Sequence, residues 1–408
     1  MSRFVASERR DFEESLYLLH LHSVHEPNRA TLERVDALRA LYETKPEDPV
    51  PALLELATTV ERYQGLVANE RAAAWLGELR DPRALDTLTE LLLLFDPADR
   101  LAAQTLRQRA TEALIAYGTD AIDPMLALLA AENPRVAELA ARAAAAQTIF
   151  PVDPEDLMAE VAMGVLSGIR SPHATEALLT EAAHASSARR RAATLALARS
   201  DPPDALVDRV VAALGHGLDE ASPDAFELFE AVAQMDRSEA VDLMLDRFAR
   251  PQTSKQNRRV AAYAIIRAGD ERQLAALRAE LETMSEAEIG RQRGLLLDID
   301  MAAVSCGADL ACWLERLPEG EPGRALAMVK RCGRGKPRAV EALRAQLTPD
   351  SWTAAATAHA LSFVCLEGCV RCVAAIDEYR EASPEGFIDY EDVFRRARAV
   401  LSCRSPAI

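Results

Sequence analysis

The chain has 408 residues, a formal net charge of −17 and a pI near 5.0. Apolar residues make up 49%, enough for a packed interior, while the acidic balance argues against bulk affinity for nucleic acid or anionic membrane. A single core usually stops growing at roughly 250–300 residues, so a chain of this length holds several cores or one drawn out along a line.

The N-terminal stretch Met1-Ser2-Arg3-Phe4-Val5 runs straight into Glu8, Arg9, Arg10 and Asp11. It has no signal-peptide apolar core, and the longest apolar patch, Leu91-Leu92-Leu93-Leu94-Phe95, is far short of a bilayer span, so a cytoplasmic protein is expected. Phe12, Leu16, Leu18 and Leu19 predict a first helix, Ala30–Tyr42 a second and Pro51–Tyr63 a third. These residues, 1–68, read as a helical cap over the open end of a repeat array. His20, His22 and His25 form H-x-H-x-x-H, but on a helix they do not share a face, so no metal site is expected there.

From residue 69 the chain repeats itself. The clearest copy is Ala73-Ala74-Trp75-Leu76-Gly77-Glu78-Leu79-Arg80-Asp81-Pro82-Arg83-Ala84-Leu85-Asp86-Thr87-Leu88-Thr89-Glu90-Leu91: a small-residue run, a turn, then a leucine-rich run. Matching turns stand at Arg170-Ser171-Pro172-His173-Ala174, Arg199-Ser200-Asp201-Pro202, Ala268-Gly269-Asp270-Glu271 and Gly335-Lys336-Pro337-Arg338-Ala339, with weaker ones at Gly118-Thr119-Asp120 and Gln234-Met235-Asp236. Their spacing fits one helical hairpin every 30–40 residues or so. A short polar residue precedes proline at Asp81, Asp123, Asn133, Asp153, Ser171, Asp201, Ser222 and Ser383. Proline holds its predecessor extended and fits the first helical position, so each pair predicts an N-cap and a helix start. Ser285 and Glu288 predict a capping box. Apolar residues recur at three and four through Val260–Ile266, Leu274, Leu277 and Leu281, and no stretch alternates with period two.

These residues resemble HEAT repeats of the bacterial type also found in phycobilisome lyases. The likeness is best over Arg71–Leu94, Arg109–Leu129, Arg190–Leu214, Arg258–Leu281 and Arg324–Leu347. It implies an all-α, right-handed α-solenoid of roughly nine to eleven helical hairpins. The motif specifies a fold and carries no catalytic residue over to this chain. The array is expected over 69–317. Leu317-Pro318-Glu319-Gly320-Glu321-Pro322-Gly323 is the most linker-like stretch, and 318–408 would form C-terminal repeats and a Cys-rich helical cap.

All seven cysteines lie between Cys306 and Cys403. Cys365, Cys369 and Cys372 have C-x3-C-x2-C spacing, which also holds iron–sulfur clusters in radical S-adenosylmethionine enzymes, but there the motif sits in a loop of a βα barrel that this chain lacks. Read as one continuous helix, the three share a face and serve as small core residues; a metal site and a redox role are the alternatives. Gly333-Arg334-Gly335-Lys336-Pro337 lacks the phosphate-loop frame and reads as a turn, and neither G-x-S-x-G nor H-E-x-x-H occurs.

Charge is the strongest non-uniformity. Pro322–Ala339 holds Arg324, Lys330, Arg331, Arg334, Lys336 and Arg338 with no acid, and the stretch 247–259 holds Arg247, Arg250, Lys255, Arg258 and Arg259 with none. Arg189-Arg190-Arg191 is a third cluster. They are either solvated repeat surface and cations near helix ends, or a ridge for an acidic protein segment. The function expected is a non-catalytic protein-binding scaffold with no cofactor or metal, its candidate partner-binding residues being the first two clusters. The rivals are a HEAT-like nucleic-acid-binding protein or DNA-repair glycosylase, and a lyase-like or chaperone-type modifying protein.

Overall fold

The computed structural model describes residues 29–59, 66–95, 100–146, 152–220, 226–303, 306–307, 309–317, 322–348, 353–365, 369–383 and 390–402. Every regular element among them is helical. Helices that follow one another in sequence pack on one another, as an α-solenoid of hairpins requires. The predicted helix around Phe12–Leu19 and the histidines His20, His22 and His25 lie outside the described residues.

The first of two compact units, described from Arg29 to Ile169, contains α1 (Arg29–Thr44), α2 (Val50–Thr58), α3 (Val67–Leu79), α4 (Leu85–Leu91), α5 (Arg100–Tyr117), α6 (Ile122–Leu129), α7 (Pro134–Ala145) and α8 (Pro154–Leu166). The turn between α3 and α4 shows how the sequence writes a hairpin. Arg80 takes a left-handed conformation (φ 52°, ψ 40°), and its N–H donates to the Leu76 carbonyl at 3.0 Å. Asp81 is then extended and accepts the Arg83 N–H at 3.0 Å, and Pro82 opens the next turn of helix. The Tyr117 hydroxyl, on α5, shares its one proton between the Leu76 and Asp81 carbonyls at 3.1 and 2.8 Å, so the next hairpin helps to satisfy the backbone that this turn exposes. Small residues set the helix spacing: a Cβ added at Gly77 would stand 2.7 Å from Ala113 Cα and Cβ on α5.

The second unit, Arg170–Ser402, contains α9 (Pro172–Glu181), α10 (Ser187–Arg199), α11 (Val207–Glu220), α12 (Phe226–Ala233), α13 (Ser238–Ala249), α14 (Lys255–Ala268), α15 (Glu271–Thr283), α16 (Glu286–Ile289), α17 (Gln292–Ala303), α18 (Leu310–Arg316), α19 (Pro322–Gly333), α20 (Pro337–Ala345), α21 (Ala354–Val364), α22 (Val370–Ala382) and α23 (Glu391–Ser402). Of the linker-like stretch, residues 318–321 lie outside the described residues. Leu317 is buried, α18 and α19 pack together, and α19 also packs on α14.

Asn133, Asp153 and Ser171 cap the helices that follow them, and Ser285 and Glu288 form the capping box. Asp123 falls inside the first turn of α6, and Ser383 ends α22. Ser222 lies outside the described residues. Asp201 caps nothing; its carboxylate is spent elsewhere.

Candidate functional site

The basic residues of α19 face inward. Arg324 lies over the Trp313 ring at 5.4 Å and donates to the Ile266, Arg267 and Gly269 carbonyls, the last two at 3.2 and 3.0 Å. Arg331 donates to the Ala268 carbonyl at 2.8 Å, to Ser238 Oγ at 2.8 Å and to Asp270 Oδ2 at 3.3 Å. Together the two guanidiniums satisfy the last carbonyls of α14, where the helix dipole is negative and the amides that would pair them have run out. Burial, then Arg331, pulls the Arg324 pKa down to about 10, so the side chain stays charged at neutral pH.

Lys330 is buried and more tightly held. Its ammonium donates to Asp236 Oδ2 at 2.7 Å and to the Gln234 carbonyl at 3.4 Å, and sits 4.4 Å above the Phe363 ring. Asp236 also accepts from Arg267 at 2.6 Å, and its backbone is left-handed (φ 52°), as short polar residues tolerate. Arg334 pairs with Asp201, which also receives Arg170 at 3.0 Å and Arg237 at 3.2 Å. Three inter-helix turns thus each present an aspartate, Asp201, Asp236 and Asp270, and a single segment, Lys330 to Arg334, engages all three.

Four candidate partner-binding residues of this island, Arg324, Lys330, Arg331 and Arg334, therefore serve intramolecular contacts. Lys336 and Arg338 are exposed on the turn that opens α20. In the second island, Arg247 is buried against Asp219 and the Gly215 carbonyl (2.7 Å); Arg250 pairs with Asp219 at 2.6 Å and Asp246 at 2.8 Å. Arg258 is buried and donates to the Arg250 and Pro251 carbonyls at 3.0 and 3.1 Å. Lys255 is exposed and reaches the Ala287 carbonyl at 3.3 Å, and Arg259 is half-buried. In the third, Arg189 meets Glu181 at 2.8 Å, Arg190 meets Glu220 at 3.1 Å and Arg191 meets Glu227 at 3.9 Å. Sequence reasoning does not single out the aspartates that receive the α19 cations. Their signal is the turn register itself: Asp201, Asp236 and Asp270 stand 35 and 34 residues apart.

His359, on α21, stacks edge-on against Phe363 at 4.8 Å. Burial, then the nearby Lys330 charge, pushes its pKa down to about 3, so it is neutral under ordinary conditions.

The cysteines do not line one helix. α21 ends at Val364, Cys365 is extended, and α22 begins at Val370 with Cys369 as its N-cap. Cys365, Cys369 and Cys372 come together where one helix ends and the next begins, not on one helix face, with all three sulfurs within 4.8 Å of one another. Cys372 is buried and the other two are half-buried. Cys369 and Cys372 are joined as a disulfide, as are Cys306 and Cys312. Cys332 is half-buried, and burial pushes its thiol pKa up. Cys403 lies outside the described residues. The Gly333–Pro337 stretch is a turn, with Gly335 left-handed (φ 68°) and donating to the Val364 carbonyl at 2.8 Å.

Leu297 and Met301, 63% and 61% exposed, lie four residues apart and so on one side of α17. No single helix among the described residues is long and apolar enough to cross a membrane.

A family model described as PBS lyase HEAT-like repeat matches residues 69–93, the α3–turn–α4 hairpin. No curated protein matches the chain. Among solved structures it is similar to an engineered protein from the Northeast Structural Genomics Consortium. The two are 17% identical over 86% of this chain and 98% of that one, with a TM-score of 0.27.

Proposed function

We propose that this chain, whose residues 69–93 match a HEAT-like repeat model, works as a non-catalytic scaffold that binds another protein along its helical-repeat surface. The observation that carries the reading is the apolar pair Leu297 and Met301, left open to solvent on a helix whose other side is packed. Large apolar side chains set side by side on a surface gain free energy when a partner covers them. The overall charge of the chain favours a partner with basic and apolar character. The chain carries −17 overall, and much of its clustered positive charge is turned inward onto Asp201, Asp236, Asp270 and the carbonyls at the end of α14. That inward pairing removes the main support for a nucleic-acid reading, which needs outward-facing cations in a row. Among the basic candidates, Lys255, Lys336 and Arg338 are exposed and remain as secondary contacts.

The test is affinity capture from native lysate with wild type, with Leu297→Asp/Met301→Asp, and with Lys336→Glu/Arg338→Glu, followed by reconstitution with the purified partner. The proposal expects a protein retained by wild type, lost by the apolar double variant and weakened by the charge variant. Recovery of nuclease-sensitive nucleic acid instead, or of no protein that reconstitutes, would overturn it.

A further inference from the structure

Three sulfurs converge where α21 gives way to α22, and we propose that Cys365, Cys369 and Cys372 in their reduced form bind one tetrahedral divalent metal ion of the zinc type. The fourth position would be open to solvent. One of the separations already has the spacing that such a site requires. Zinc–thiolate bonds near 2.3 Å in a tetrahedral array set neighbouring sulfurs about 3.8 Å apart. Cys372 Sγ and Cys365 Sγ already stand 3.8 Å apart, and reduction of the Cys369–Cys372 disulfide frees the third sulfur, which lies within 4.8 Å of the other two, to take up the same spacing.

Thiol–disulfide exchange among the three needs a different shape. Attacking, central and leaving sulfurs lie nearly in line. With a covalent bond of about 2.05 Å beside the 3.8 Å approach, the outer two would be about 5.9 Å apart. Here the sulfurs all lie within 4.8 Å of one another, so exchange would first need Cys365 to swing into line with the disulfide. An iron–sulfur cluster also fits less well, because each thiolate then holds a different iron and the sulfurs spread apart around the cluster.

The surroundings suit thiolates. Cys369 Sγ sits at the N-terminus of α22 and accepts the Cys372 N–H at 3.3 Å, where amide dipoles favour negative charge. Both ends of the site are fixed by backbone bonds: Cys365 N–H donates to the Leu361 carbonyl at 3.0 Å, and Cys369 N–H donates to the Leu401 carbonyl at 3.0 Å. The Arg170 guanidinium donates to the Cys365 carbonyl and brings a positive charge beside a site that would carry a net −1. Cys372 is anchored in the same core as Val364, Ile376 and Leu401, while Cys365 and Cys369 stay half-exposed, which gives an ion a way in.

Loading proceeds in two balanced steps. A small dithiol gives two electrons and two protons to the Cys369–Cys372 disulfide and leaves as its own disulfide. The metal ion then displaces three thiol protons to solvent. Once bound, it ties the end of α21 to the start of α22, so metal binding is folding stability.

The experiment is anaerobic titration of the reduced full-length chain with Co²⁺ alone, read by thiolate-to-cobalt charge-transfer and tetrahedral d–d absorption, then Zn²⁺ displacement. One Co²⁺ per chain is expected, with a melting temperature that rises with metal concentration. Cys365→Ser and Cys372→Ser are expected to bind at least about a hundredfold more weakly, and Cys332→Ser as wild type. Because Cys372 is buried, the half-exposed Cys365→Ser carries the test, with helicity checked by circular dichroism. Wild-type affinity in Cys365→Ser would overturn the proposal. So would a reversible Cys369–Cys372 disulfide indifferent to metal, or iron–sulfur reconstitution without cobalt binding.

Discussion

Removing the Asp236 carboxylate tests whether α19 is held by its charges. Asp236 and Lys330 expose only 5% and 7% of their side chains, and Asp236 is the carboxylate that meets both Lys330 and Arg267. Two buried or half-buried cations then lose their counter-charge in a medium too apolar to hydrate them. Breaking such a pair by deleting one partner costs about 3–5 kcal/mol. The loss falls on the contact between α19 and the turns after α12 and α14, so it is best read locally. Hydrogen exchange across Pro322–Gly333 reports the free energy of opening that helix. For Asp236→Ala, 3–5 kcal/mol corresponds to exchange about a hundred- to several-thousandfold faster. Asp236→Asn/Lys330→Met, which removes both charges and keeps the volume, is expected to regain at least half of the lost protection, because an apolar replacement for a buried ion pair costs little. Exchange in Asp236→Ala within threefold of wild type would refute the reasoning and show that α19 does not depend on this buried ion pair.

Two further outcomes follow from packing and burial. Gly77→Ala puts a methyl 2.7 Å from Ala113 Cα and Cβ, and pushing α3 off α5 is expected to cost about 1–3 kcal/mol in thermal unfolding, partly recovered by adding Ala113→Gly; an unchanged midpoint would show that the two helices can separate freely. His359 has a pKa near 3 when folded against 6.5 ordinarily, so the unfolded chain binds the extra proton. Its contribution to stability is complete above about pH 6.5 and lost on acidification towards pH 3, by up to about 1.4 kcal/mol per pH unit. Thermal midpoints measured from pH 7 to 4 are expected to fall more steeply in wild type than in His359→Leu; parallel curves would place the acid sensitivity elsewhere.

Local chemistry was legible along the chain because each signal acts within a few residues. The Asp81-Pro82 turn, the caps at Asn133, Asp153 and Ser171, and the Ser285–Glu288 box follow from backbone geometry that proline and short polar side chains impose on their neighbours. The same reasoning went astray where a residue had a stronger claim from far away. Asp201 has the sequence of an N-cap, yet its carboxylate receives Arg170, Arg237 and Arg334, the last 133 residues on. Cys365–Cys372 has the spacing of a helix face, yet the helix breaks between its first two cysteines.

What the sequence determined by itself was therefore the all-α, hairpin-by-hairpin architecture, since each hairpin is specified by its own caps, turns and small-residue runs. The direction of the charges was decided by the tertiary structure alone. Arg324, Lys330, Arg331 and Arg334 form a basic run in any reading of the chain, and nothing local says whether they meet solvent or protein. Only when α19 packs on α14 do the helix-end carbonyls and three turn aspartates come within reach. Charges taken from water persist only where such partners are already in place.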